Sequence, residues 1–144
     1  MTSLRGEIVS AQRIVEKNIE NKITIEQAFI SGEEAEKHYS VEEKNVADWN
    51  SVAFENSKRG LKAAFINAGC IARYCIEKKF ELVFGFSNAK KRGIERLYLA
   101  YGAEFSKKYS KPVFFPSDSL EGESFDLKII EIKKTTLLEI GSKL

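Results

Sequence analysis

Leu61, Ala64, Phe65, Ala68, Ala72, Cys75 and Ile76 recur at intervals of three and four, the spacing of one helical face. The pattern predicts a long helix after the polar stretch 55–60. Its alanines form a narrow stripe that lets a helix lie close to a sheet, and Gly69 costs about 1 kcal/mol against alanine inside it. Two apolar runs flank this helix. Val46–Phe54 carries the only tryptophan and predicts a strand, and residues 80–86 are too apolar to face water, which predicts a central strand covered on both faces. Residues 7–15 are rich in β-branched positions and predict another strand, with helix as the rival because Ile8, Ala11, Ile14 and Val15 also share a helical face. Ile23 to Ile25 reads as a second short strand. Residues 25–44 read as helical in pieces broken by Ser31 and Gly32.

From Asn88 the pattern turns helical again. Ile94, Leu97, Tyr98 and Tyr101 share one face, and Gly102 stops the helix. Residues 112–116 form a proline-bounded extended piece and 117–124 a polar loop. Residues 125–132 alternate in part and predict a strand, which 135–140 continue after a bend. The order of elements predicts a mixed α/β fold, one mostly antiparallel sheet with helices packed on its faces. The Gly-x-Gly-x-x-Gly turn of a dinucleotide fold is absent from the sequence.

Length and composition narrow the class. The 144 residues make one domain with an ordinary apolar content of 43%. A formal net charge of +2 argues against a dedicated nucleic-acid module, although Lys90, Lys91, Arg92, Lys107 and Lys108 make a local basic surface. His38 is the only histidine and no Cys-x-x-Cys pair occurs, so no metal site is expected. Cys70 and Cys75 fall on different helical faces and read as buried free thiols in a reducing compartment. No hydrophobic signal core or membrane span is seen, so a soluble cytoplasmic protein is expected.

Two local patterns carry a family resemblance. The first is strand, basic-glycine loop, helix, in Ser51 to Ala64 with Lys58, Arg59 and Gly60. The second is strand, asparagine, helix, in Asn88, then Leu97 and Tyr98, then Gly102 and Phe105. Together they resemble the GNAT superfamily of acyl-CoA-dependent N-acyltransferases over roughly residues 46–106. The polar segment before the tryptophan strand looks more like the long-chain branch, which contains autoinducer-synthase-like and N-acyl amino acid synthase-like proteins. The chain departs from the family in three places. Lys62 replaces a small residue of the loop. Ala103 and Glu104 are inserted before Phe105, and three residues are added between Asn88 and Tyr98. Residues 25–44 stand in for the strand and two helices that usually come earlier, or part of the domain is missing.

The resemblance implies acyl-CoA or acetyl-CoA as co-substrate, or an acyl carrier protein, with an amine as acceptor. It implies that the loop at Lys58, Arg59 and Gly60 binds the CoA pyrophosphate, where helix-start amides and the helix dipole favour an anion. It implies that Val52, Ala53 and Phe54 supply amides to the thioester carbonyl, and that Tyr98 protonates the departing thiolate. The bland alternatives stay open: a solvated loop at Gly60, Tyr98 and Tyr101 as core packing, and Asn88 as a helix cap rather than a ligand contact. Asp48 and Glu55 are the candidate general bases, with a water as the alternative. Three functions are weighed, namely an N-acyltransferase, a non-catalytic binding protein on the same fold, and a small nucleic-acid binder. A homo-oligomer is left open.

Overall fold

The computed structural model describes every residue except 1–5, 7, 9, 19, 34–35, 89–94, 116–118, 121–122, 125 and 144, and does not describe the side chains of 51–53, 119–120 and 123–124. In chain order come β1 (Ser10–Glu16), α1 (Thr24–Gln27), β2 (Phe29–Ile30), β3 (Val46–Phe54), α2 (Lys58–Glu77) and β4 (Leu82–Asn88). There follow α3 (Glu95–Ala100), β5 (Glu104–Phe105), β6 (Val113–Phe114), β7 (Ser119–Leu120), β8 (Glu123–Ser124), β9 (Leu127–Lys133) and α4 (Lys134–Lys143).

The main sheet runs in the order β1-β3-β4-β9-β6-β2, with β5 also on β9. Among the described residues only β3 and β4 pair in parallel, and α2 is the crossover between them. The expected mixed, mostly antiparallel sheet is therefore present, and β4 is central. Strand alternation splits the core in two. On one face Ala47, Trp49, Val83, Ile130 and Ile132 pack with Ala68, Ala72 and Cys75 of α2 and with Leu137 and Ile140 of α4. On the other, Val46, Phe84 and Ile129 pack with Ile23, Ile25, Val41 and Tyr109. The alanine stripe is fully buried against the sheet.

Five expectations are corrected in whole or in part. The segment 23–25 is not a strand: Thr24–Gln27 is one helical turn, because the Thr24 amide and hydroxyl turn inward to the Asp48 carboxylate. The described part of 31–45 is irregular rather than helical. Gly32 takes φ +80°, and polar contacts from Glu26 to Val41 N and from Tyr39 to Lys111 replace helical hydrogen bonds. Residues 135–140 do not extend the strand. They belong to α4, whose buried Thr136, Leu137 and Ile140 lie at helical spacing, and Arg73 on α2 donates to the Gly141 carbonyl at 2.8 Å. Within 117–124, Ser119–Leu120 and Glu123–Ser124 pair as a short hairpin. The thiol expectation holds for Cys75 alone, whose burial pushes its pKa up to about 12; Cys70 is exposed.

Candidate functional site

The parallel seam between β3 and β4 is short. It pairs Val46 with Leu82, Ala47 with Val83 and Asp48 with Phe84, and no pairing beyond Asp48 occurs among the described residues. From there β3 runs on to Phe54 against β1, and β4 runs on to Asn88 against β9. The two strands fork, and past the fork their facing backbone edges have no strand partner among the described residues. A shift of register between Ala11 and Arg13 places an extra β3 residue around Ser51 and Val52. Such a bulge bends a strand and re-aims its backbone groups.

Tyr98 of α3 lies at the fork. Its ring meets Trp49 at a centroid distance of 4.9 Å, and Trp49 is the first β3 residue past the last pair. The first β4 residue past that pair is Gly85, and a Cβ there would come within 2.8 Å of Tyr98 Cε2. Gly85 thus gives the phenol its place. Tyr98 is fully buried, and its hydroxyl has no hydrogen-bond partner, the one such side-chain atom found among the described residues. Burial, then the charges of Glu95 and Cys75, push the phenol well above its ordinary pKa, so it keeps its proton. The turn after it is set by Gly102 at φ +101°, with the Ala103 amide donating to the Tyr98 carbonyl at 2.9 Å. Trp49 needs no ligand, since its indole donates to Gln12 Oε1 at 2.8 Å.

Beside the fork a groove of about 340 Å³ opens between α2 and α3. Phe54, Leu61, Phe65, Leu97 and Tyr101 line it with apolar surface, and Arg96 supplies its one charged side chain. Phe54, Leu61 and Phe65 are 39%, 45% and 38% exposed, which is unusual for large apolar side chains gathered in one place. Tyr101 is half-buried: it lines the groove and also packs against the core on that face.

The loop expected to bind pyrophosphate is satisfied from within. Arg59 grips Glu55 through Nε and Nη2, each at 2.6 Å, and Ser57 Oγ donates to the same carboxylate at 2.5 Å. Ser57 also caps α2 by accepting from the Gly60 amide at 3.0 Å. A Cβ on Gly60 would lie 1.9 Å from the Glu55 carbonyl oxygen, so glycine is required there by the loop's own backbone. Hydrogen bonds from Arg59 first, then Ser57, hold Glu55 at a pKa of about 2. A carboxylate drawn down in this way is a weaker general base, which counts against one of the two candidates.

Asp48 is the other. It is fully buried on the opposite face from Tyr98, at the last paired position of the seam. Its oxygens accept from the Thr24 amide, from Thr24 Oγ1 at 2.9 Å and from Asn50 Nδ2; Asn50 in turn accepts from Arg13 Nε at 3.1 Å. Desolvation raises its pKa despite these donors. The sequence reading singled out Asp48 but not Thr24, Asn50 or Arg13, which come from three separate elements. It also missed Ser57, although a serine just before a helical run is an N-cap signal.

Among the other expected residues, Val52 and Ala53 lie on β3 past the fork, with only their backbone described. Lys58 is exposed in the first turn of α2. Asn88 is the half-buried last residue of β4, paired with Leu127, and the described part of α3 begins later, at Glu95. Lys90, Lys91, Arg92 and Ile94 lie outside the described residues. Lys108 is neutralised by Glu42 and Glu43, each at 3.0 Å, which thins the basic surface. His38 is exposed, with Nδ1 2.9 Å from the Ala28 carbonyl. Among the described residues, no cluster of three metal-ligating side chains occurs, and no helix is long and apolar enough to cross a membrane.

No protein-family model and no curated protein matches the chain. Solved structures do. A candidate phosphinothricin N-acetyltransferase superposes with a TM-score of 0.56 at 13% identity, over 92% of this chain and 65% of that one. TofI in an apo form gives 0.57 at 15% identity, over 97% and 69%. An acetyltransferase of the GNAT family from Streptococcus pneumoniae gives 0.55 at 10% identity, over 90% and 62%. The chain therefore spans 62% to 69% of the length of these structures. At such identities the likeness is one of fold.

Proposed function

We propose that this chain, a divergent protein of GNAT fold, is an acyltransferase that moves an acyl group from a CoA or carrier-bound thioester to an amine. The observation that carries this reading is the buried, unpartnered Tyr98 hydroxyl at the fork of β3 and β4. A buried hydroxyl without a partner costs stability, and a ligand atom in the fork would remove that cost.

In this reading the thioester lies along the free edge of β3 past the fork. The amine attacks its carbonyl carbon, and the oxygen takes up the negative charge. Backbone amides of Val52, Ala53 and Phe54, re-aimed by the bulge, stabilise that oxyanion. The amine loses its proton to a water, since Asp48 is buried on the opposite face with its carboxylate already bonded to Thr24 and Asn50. The intermediate then collapses, the carbon–sulfur bond breaks, and Tyr98 donates its proton to the departing thiolate. Desolvation in the fork raises the basicity of the thiolate, so a phenol of high pKa is still a usable donor. The apolar groove between α2 and α3 would take the aliphatic part of the donor, with Arg96 at its rim.

The test is calorimetric titration with acetyl-CoA and with a long-chain acyl-CoA, followed by thiol-release assays over a panel of amines. Micromolar binding of one donor, with acyl transfer lost in Tyr98→Phe while KM is kept, is the expected result. No binding of either donor sinks the reading. The second reading, a non-catalytic binding protein on the same fold, is favoured by the self-satisfied loop at Glu55 and Arg59. It predicts binding without turnover for every amine tried.

A further inference from the structure

The two ends of the proposed donor site differ. The apolar end is open: Phe54, Leu61 and Phe65 expose their rings and branches to a groove of about 340 Å³. The polar end is occupied. Phe54 and Leu61 both line that groove, and the segment between them contains the clasp of Glu55 with Ser57 and Arg59. Three donor groups that would suit a phosphate, namely Arg59 Nε, Arg59 Nη2 and Ser57 Oγ, converge on one carboxylate at 2.5 to 2.6 Å. The Gly60 amide is consumed by Ser57, and the Glu55 carbonyl oxygen covers Gly60. The Nε–Nη2 edge of the planar guanidinium is thus held by both oxygens of one carboxylate, the fork-to-fork pairing that is the strongest of its kind.

We propose that Glu55 is a specificity-determining residue: it occupies the anion-binding groups at the start of α2 from within, so that the donor is selected by its apolar chain in the groove and not by the phosphates of a nucleotide. The inference rests on the acyltransferase reading of this site. It makes the chain indifferent to the nucleotide part of a thioester. Donors that share an acyl-pantetheine end and differ only beyond it bind alike. Glu55 stays ionised through the neutral range, so the clasp does not open with ordinary changes of pH. The pair is exposed, and salt loosens it.

The test compares decanoyl-CoA with decanoyl-pantetheine, which lacks the nucleotide and its phosphates, on the wild type and on Glu55→Gln. The wild type is expected to bind both within about 3-fold, and Glu55→Gln to bind the CoA form about 3- to 10-fold more tightly than the wild type does. Its affinity for the pantetheine form stays unchanged. A wild type that prefers the CoA form by about 10-fold or more, with no gain in Glu55→Gln, overturns the inference and leaves the acyltransferase reading standing. Failure of both thioesters to bind either protein overturns the two together. Glu55 and Arg59 are exposed, so a charge-neutral substitution is not expected to unfold the protein. A thermal scan of the variant checks that point.

Discussion

Asp48 and Tyr98 sit at the same fork on opposite faces of one sheet, both fully buried. The carboxylate is met by a backbone amide, a hydroxyl and a side-chain amide. The phenol is met by nothing. Burial of a polar atom is costly unless a partner replaces water. The fold has spent three donors on one of these groups and none on the other. On the face packed by the N-terminal segment the seam is closed by polar bonds. On the face packed by α2 and α3 it is closed by apolar contact, with the Tyr98 ring against Trp49 and Gly85. The first arrangement holds the structure together, and the second leaves a buried hydroxyl without a partner beside the fork.

The largest effect that would break this contrast is on turnover. Tyr98→Phe is expected to lower kcat by about 100-fold or more if the phenol is the acid. The same change removes an unsatisfied hydroxyl, so it is expected to raise stability by about 1 kcal/mol. Denaturant unfolding and steady-state kinetics on one variant check both signs. A variant that keeps its turnover returns Tyr98 to core packing. Asp48→Ala should behave in the opposite sense. It orphans the Thr24 amide and Asn50, and is expected to cost about 2–3 kcal/mol of folding stability by the same measurement.

Gly85→Ala is expected to cost about 1–3 kcal/mol, because a Cβ 2.8 Å from a fully buried ring cannot be relieved by a flexible side-chain end. Most of that cost should vanish in a Tyr98→Leu background, and a double-mutant cycle reads the coupling. Additive costs would mean that Gly85 and Tyr98 do not depend on each other.

The smallest effect is on pH. The pKa of Asp48 is raised in the folded state, so the native protein holds this proton more tightly than the unfolded chain does. Its contribution to stability is therefore fullest below the unfolded value, about 3.9, and is lost as pH rises through the folded one. Relative to Asp48→Asn, the wild type should lose stability across that window on going up in pH. Glu55, held at about 2, acts the other way. Its contribution is present above the unfolded carboxylate value and is lost as pH falls toward 2. Stability curves of Asp48→Asn and Glu55→Gln against pH separate the two.

Much of this frame was legible in the sequence where a local signal and the tertiary outcome agree. Val46–Phe54 is a strand with the expected bounds, and Ala64, Ala68, Ala72 and Cys75 of the three-four spacing lie on the buried face of α2, whereas Leu61 and Phe65 of the same spacing are exposed at the groove. Gly102 marks a left-handed stop because only that conformation turns α3 back into β5. Other regions were decided by distant partners. Thr24 looks like a strand residue until Asp48 takes its amide. The pair Thr135 and Thr136 has strand propensity, yet the spacing of Leu137 and Ile140 against α2 makes the segment helical. At the site, Tyr98 and the loop at Arg59 were both singled out from the sequence. That Tyr98 has no partner, and that Arg59 already has one in Glu55, depends on hydrogen bonds that no spacing predicts.

The short seam has a further consequence, for cooperativity. Within the sheet, two antiparallel parts, β1-β3 on one side and β4-β9-β6-β2 on the other, are joined by three paired positions, with α2 as the connection and the two core clusters packed across the join. The parallel pairing must wait for α2 to form and fold back, so it is the late, non-local step of assembly. Native-state hydrogen exchange should then resolve two blocks of amides with separate opening energies. A ligand that spans the fork would weld them into one.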